Sequence, residues 1–219
     1  MPAPKAALFD MDRTLVHKDT ATLFARYRRD TGRAAWHETL RVAWWMLQYS
    51  LGVIDAPRTA ELALRVFRGE SDAGLREYCA PWFAEYVLPL VTRGGREAVR
   101  RHRERGDLVA LVTGTTAYAA QPLADELEIE HVVCTELEID ATGRLTGRLI
   151  EPICFGTGKV ERVASLAHRC GFRLEEATLY TDSITDLPLL ERVEAPVAVN
   201  PDGRLRRLAR RRGWRVEAW

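Results

Sequence analysis

The chain opens on an uninterrupted apolar run, Ala6-Ala7-Leu8-Phe9, which predicts a short strand buried on both faces. Polar residues, Asp10 to Thr14, then break it, and a helical period takes over. Asp19-Thr20 predicts a capped helix reaching Tyr27-Arg28, with Leu23, Phe24 and Tyr27 on its apolar face. A second helix is predicted near 34–51, where Gly52 ends it, and a third near 57–67, with Pro57 suited to a first turn. Ser71-Asp72 starts a fourth, reaching Val87, in which Pro81 should kink or divide the helix. Four helices in succession with no strand between them read as an inserted helical module.

Strands and helices alternate from Gly94-Gly95 onward. Leu108 to Val112 is a second buried strand, ending in Thr113-Gly114-Thr115-Thr116, and His131 to Cys134 is a third. Glu136 to Glu151 alternates about Ala141-Thr142-Gly143, the pattern of a β-hairpin with a glycine turn. Gly156-Thr157-Gly158 leads to a helix over 159–170. Thr178 to Thr181 is a strand ending in Asp182-Ser183-Ile184-Thr185-Asp186, and Pro196 to Val199 is another. An arginine-rich helix over 203–212 and a short strand at 214–216 complete the chain. The expectation is an α/β fold: a Rossmann-like parallel sheet with helices on both faces, an inserted helical-bundle cap and a small β-hairpin. The core would span 1–16 and 88–219, and the cap 17–87.

Composition narrows the function classes. The 219 residues are 47% hydrophobic, enough for a buried core, and 32 Lys plus Arg against 31 Asp plus Glu leave a net charge of +1. That balance gives no global pull toward nucleic acid. The carboxy-terminal arginines, Arg204 to Arg212, share their helix with Leu205 and Leu208, so a solvated face is the expectation there. Cys79, Cys134, Cys154 and Cys170 lie far apart without metal spacing, as expected of free thiols in a reducing compartment. With no signal-peptide pattern and no transmembrane-length apolar stretch, the expected location is the cytoplasm.

The candidate chemistry sits where three strands end. Asp10 and Asp12 lie two residues apart, so in extended backbone both point to one face. Two like charges that close repel unless a cation lies between them or one takes a proton, which anticipates a hard divalent metal. Alone, the pair is equally a solvated acidic turn. Thr113-Gly114, Lys159 and the Asp182–Asp186 pair change that reading, because together they supply a hydroxyl, a bare amide, one fixed cation and further carboxylates. Phosphoryl transfer needs such parts. An Asp can be the nucleophile and a second Asp the acid and base.

Asp10-Met11-Asp12-Arg13-Thr14, Thr113-Gly114, Lys159 and Asp182-Ser183-Ile184-Thr185-Asp186 resemble, in order, the four motifs of the haloacid dehalogenase-like hydrolases. The helical insertion and the hairpin before Lys159 resemble the phosphoserine-phosphatase-like branch. The resemblance covers essentially the whole chain. It implies that Asp10 is the nucleophile and Asp12 the general acid and base. It also implies that Thr113, Gly114 and Lys159 hold the phosphoryl group, with Thr185 where relatives carry an amide side chain. Mg2+ would be held by Asp10, Asp12 (through its carbonyl) and Asp182, with Asp186 supporting the metal waters or Lys159. Dehalogenases lack the second Asp, so Asp12 points to phosphate esters.

The implied function is a magnesium-dependent phosphomonoesterase acting through an aspartyl-phosphate on a small phosphorylated metabolite, with no nucleic-acid partner. Two alternatives are a phosphotransferase to an alcohol and a non-catalytic phosphate- or membrane-surface-binding module. Asp19 stands where phosphoserine phosphatases place a Glu for the substrate amine, and it is equally the helix cap named above. The carboxylate-binding arginine of those enzymes has no clear counterpart, since Ala63 aligns there and Arg65 only after a register shift. Trp36, Trp44, Trp45, Met46 and Tyr49 fill a bundle core or line an apolar pocket.

Overall fold

A computed structural model describes residues 5–33 and 67–219. Its element order begins with β1 (Ala6–Phe9) and α1 (Thr20–Asp30), and resumes at α2 (Asp72–Trp82), α3 (Arg93–Glu104), β2 (Leu108–Thr116) and α4 (Ala117–Glu126). There follow β3 (His131–Ile139), β4 (Leu145–Ile150), α5 (Thr157–Cys170) and β5 (Thr178–Thr181). A short α6 (Leu187–Leu190), β6 (Ala195–Val199), α7 (Gly203–Arg212) and β7 (Arg215–Glu217) end the chain. The seven strands form one sheet in the order β4-β3-β2-β1-β5-β6-β7. All neighbours are parallel except β3 and β4.

Both faces of this sheet are covered, which explains why β1 shows no alternation of apolar and polar residues. Ala7 and Phe9 face one core with Leu23, Trp82, Val99 and Leu123. Ala6 and Leu8 face the other, with Val163, Leu166, Leu190 and Leu205. Every residue of β1 is buried. With parallel neighbours on both sides, β1 lies at the middle of the order, and its carboxyl end opens where the Asp10 loop begins.

The expected elements appear with four differences. Strand β2 does not stop at Val112 but runs through Thr116, so Thr113 and Gly114 lie within it. Strand 131–134 and the first arm of the hairpin are one continuous strand, β3, because the alternation Glu136-Leu137-Glu138-Ile139 carries the extended backbone straight on. Pro81 does not stop its helix. Its missing N–H removes one α-helical bond, and α2 passes into a wider π-type turn at Phe83–Val87 and then a 3-10 turn at Leu88–Leu90. Helix α5 starts at Thr157 rather than Lys159, since Gly158 packs against the chain just before it. A Cβ on Gly158 would lie 2.2 Å from the Ile153 carbonyl oxygen, so only glycine fits there.

The predicted helices near 34–51 and 57–67 lie outside the described residues, except Phe67. So do Trp36, Trp44, Trp45, Met46, Tyr49, Ala63 and Arg65. The segment over residues 69–72 is tied to the sheet. The Gly69 amide donates to the Leu145 carbonyl at 2.8 Å, the Leu145 amide to the Glu70 carbonyl at 2.9 Å and the Asp72 amide to the Gly143 carbonyl at 2.9 Å, and the Tyr118 hydroxyl of α4 donates to Asp72 Oδ1 at 2.9 Å. Among the described residues no helix is long and apolar enough to cross a membrane.

Candidate active site

Asp10 and Asp182 sit just past strands and Lys159 at the start of a helix, whereas Thr113 and Gly114 lie in the second half of β2. The Asp10 amide donates to the Tyr180 carbonyl at 2.9 Å, which carries the β1–β5 pairing one residue beyond β1. The chain then turns sharply. Thr14 and Val16 amides return to the Met11 carbonyl at 3.3 and 2.9 Å, and Arg13 takes a positive φ of 57°. Asn200, beyond β6, holds this turn by donating its side-chain amide to the Arg13 carbonyl at 3.2 Å, while its own carbonyl accepts from the Trp219 amide at 3.0 Å.

Lys159, on the first turn of α5, is the centre of the cluster. Its Nζ donates to Asp10 Oδ1 at 2.9 Å and to Asp186 Oδ2 at 2.8 Å, and all three side chains are buried. The Thr181 hydroxyl also donates to Asp186 Oδ2, at 2.7 Å. Asp186 is thus engaged by Lys159 and Thr181. Asp182 stands beside it, buried, and its carbonyl accepts from the Asp202 amide at 2.8 Å. Asp12 Oδ1 accepts from the Thr20 amide at 2.8 Å, so the first turn of α1 fixes its orientation.

Thr113 is buried within β2, whereas the next residue, Gly114, is exposed. The Gly114 carbonyl accepts from the Thr135 hydroxyl at 2.8 Å, which ties this part of β2 to β3. Thr185 lies in the 3-10 turn Ile184–Asp186, its hydroxyl 2.9 Å from that of Ser183. Asp19 is the N-cap of α1, accepting through Oδ1 from the Thr22 amide at 3.1 Å and the Thr22 hydroxyl at 3.3 Å.

Three buried carboxylates, Asp10, Asp182 and Asp186, therefore surround one buried lysine, with the half-buried Asp12 beside them. Burial pushes the Asp10 carboxyl up to about 6, with Asp186 adding to the effect and Lys159 opposing it. Burial, then the charges of Asp10 and Asp186, push Asp182 up to about 9. Asp12 is raised well above the carboxylate range by burial, then by Asp19 and Asp10. Burial works against the charge on Lys159, but Asp10 and Asp186 outweigh it and hold the ammonium well above its usual value. The cluster is short of positive charge.

A hard divalent cation fits that deficit. Among the described residues no three His, Cys, Asp or Glu side chains form a ready cage. Two carboxylates, Asp10 and Asp182, plus a backbone carbonyl suit Mg2+, which dehydrates reluctantly and keeps several waters.

The sequence pattern did not single out Thr20, Thr181, Asp202 or Asn200. Asp202 accepts from the Ile184 amide at 2.8 Å and from Arg204 and Leu205 amides at 2.7 and 2.8 Å. It caps α7 and pins the Asp182–Asp186 loop at once. An Asp-Gly pair before an arginine-rich helix signals the cap, but nothing local signals the loop contact.

A sheet-end carboxylate cluster around one buried lysine, on an α/β sheet of this order, defines a hydrolase scaffold. The chain belongs to the haloacid dehalogenase-like hydrolases, whose family model matches residues 7–191. It is 34% identical over 96% of its length to phosphoserine phosphatase SerB1 of Mycobacterium tuberculosis, covering 70% of that protein. It is 30% identical to histidinol-phosphatase of Neisseria meningitidis, covering 96% of both chains. A crystal structure of a Bordetella pertussis protein of unknown function superposes with a TM-score of 0.89, at 34% identity and 98% coverage of both chains.

Proposed function

We propose that this protein is a magnesium-dependent phosphomonoesterase that works through an aspartyl-phosphate. The observation that carries the reading is the buried Lys159 ammonium bridging Asp10 at 2.9 Å and Asp186 at 2.8 Å, at the carboxyl ends of β1 and β5. It places a fixed cation beside a carboxylate that can act as nucleophile. An Asp10 oxygen attacks phosphorus and the ester oxygen leaves, taking a proton from Asp12. Asp12 then removes a proton from water, whose oxygen attacks the phosphoaspartate and releases phosphate and free Asp10. Burial, then the charges of Asp19 and Asp10, favour the protonated form of Asp12, which is the form a general acid needs. Thr113 and the Gly114 amide would hold the phosphoryl oxygens. Mg2+, held by Asp10, the Asp12 carbonyl and Asp182, would neutralise the charge on the phosphoryl group. In this reading residues 17–87 form a cap over a core of 1–16 and 88–219.

The substrate we favour is a small phosphate monoester bearing an amine. Phosphoserine and histidinol phosphate, the substrates in the names of two relatives, share that feature. Asp19 supports it, being an acidic side chain close enough to Asp12 to raise its pKa. The test is hydrolysis of phosphoserine, histidinol phosphate, phosphoethanolamine and a sugar phosphate, each with Mg2+ and with chelator. Mg2+-dependent release of phosphate, fastest from an amine-bearing ester, is expected. Hydrolysis that chelator leaves unchanged would overturn the metal assignment, and preference for the sugar phosphate would overturn the substrate class.

A further inference from the structure

The other end of the same sheet holds a second concave site. A groove of about 450 Å³ lies between the last turns of α3 and the start of β7, over Thr178 and Tyr180 of β5 and residues 195–197 of β6. Arg101, His102 and Arg105 form one wall, Tyr180 lies on the floor, and Trp214 and Arg215 form the far wall. Its size falls within the usual range for small-molecule sites.

Charge is the distinctive feature. Three arginines line the groove against one carboxylate, Glu194, which is exposed. Arg215 pairs with Glu217 at 2.6 Å. Neither Arg101 nor Arg105 makes an ion pair among the described residues; the charges of Arg101 and Arg215 both act on the Tyr180 phenol.

The floor is built rather than incidental. His102 is buried, with Nδ1 2.7 Å from Asp107 Oδ2 and Nε2 2.9 Å from the Tyr180 hydroxyl. With Asp107 accepting from Nδ1–H, Nε2 accepts from the phenol, which leaves the phenol oxygen as an acceptor facing the arginines. None of these groups belongs to the carboxylate cluster. A guanidinium pair over a fixed polar floor is suited to the paired oxygens of a carboxylate or phosphate.

We propose that this groove binds a small organic polyanion through Arg101 and Arg105, with Arg215 contributing a third charge. The inference stands apart from the proposed catalytic chemistry and does not depend on it. The site is concave and small, which selects a metabolite-sized ligand over an extended nucleic acid or membrane surface.

Citrate is the probe, titrated calorimetrically into the full chain in metal-free buffer at moderate salt. Saturable binding is expected from the wild type and from Asp10→Asn. Arg105→Gln should weaken it about tenfold, and Arg101→Glu with Arg105→Glu should abolish it, since each lost charge-assisted contact is worth about that factor or more. The single variant alters one exposed side chain, so it decides the matter even if the double variant fails to fold. No saturable binding by the wild type would overturn the proposal. Binding lost in Asp10→Asn but kept in Arg105→Gln would also overturn it, by placing citrate among the carboxylates.

Discussion

The two ends of strand β5 make opposite electrostatic environments. At its carboxyl end Asp182 and Asp186 join Asp10 and Asp12 around a single lysine. From its amino-terminal residue onward, Thr178 and Tyr180 line a groove together with three arginines. Only Thr181 separates Tyr180 from Asp182 in sequence. Tyr180 is still paired within the sheet, whereas Asp182 lies past the end of β5 in the loop at the sheet's carboxyl end, so one short segment serves both. The buried acidic end is unstable by itself, because like charges removed from water repel strongly. It therefore depends on cations, one built in as Lys159 and one to be recruited. The arginine end is under less strain, since Arg105 and Arg215 are exposed and Arg215 already pairs with Glu217.

Removing the built-in cation should break the comparison most severely. Lys159→Ala leaves Asp10 and Asp186 buried without their counter-charge, and breaking such a pair costs about 3–5 kcal/mol. Urea unfolding at neutral pH should show that loss, and Mg2+ should restore part of it by occupying the same deficit. Unchanged stability would mean that water already reaches the carboxylates.

Asp12→Asn sharpens the account without removing a charge partner of Lys159. Loss of a general acid lowers the rate about 10²–10⁴-fold, and the loss depends on how much the leaving oxygen needs a proton. Alkyl phosphates should therefore suffer more than an aryl phosphate such as p-nitrophenyl phosphate. Equal losses for both would remove Asp12 from the proton transfer.

A smaller effect is expected where α2 meets α4. Asp72 is partly buried, which alone would raise its carboxyl, but hydrogen bonds from Arg76 and Tyr118 outweigh this and hold it below its usual value. A depressed folded-state pKa stabilises the fold above the unfolded value of about 3.9, and the contribution fades as pH falls through the folded value. Tyr118→Phe should cost about 1 kcal/mol at neutral pH. The gap from wild type should narrow below about pH 4, read from thermal unfolding at several pH values. A gap independent of pH would show that the hydroxyl does not act through Asp72.

The frame of the site is legible along the chain because its strands are apolar runs that end abruptly in chemistry. Ala6–Phe9 ends at Asp10, and Thr178–Thr181 ends at Asp182, so strand ends and candidate residues coincide. The hairpin was legible as alternation, but not its fusion with strand 131–134, because no turn residue marks a boundary that does not exist. Thr20, Asp202 and Asn200 escape a reading of the sequence for another reason. Their partners Asp12, Ile184 and Arg13 lie 8, 18 and 187 residues away, and only the assembled sheet brings them together. Asp19 was legible as a helix cap, and the structure shows that cap.

The central claim is that Asp10 takes the phosphoryl group. The most direct measurement is acid quenching during turnover of histidinol phosphate with Mg2+, followed by peptide mass spectrometry of wild type and Asp10→Asn. One phosphoryl adduct on the Asp10 peptide is expected in the wild type. Asp10→Asn should carry none, with turnover lowered on the order of 10⁴-fold or more and the fold intact by circular dichroism. Turnover that persists in Asp10→Asn, or an adduct on another residue, would contradict the account.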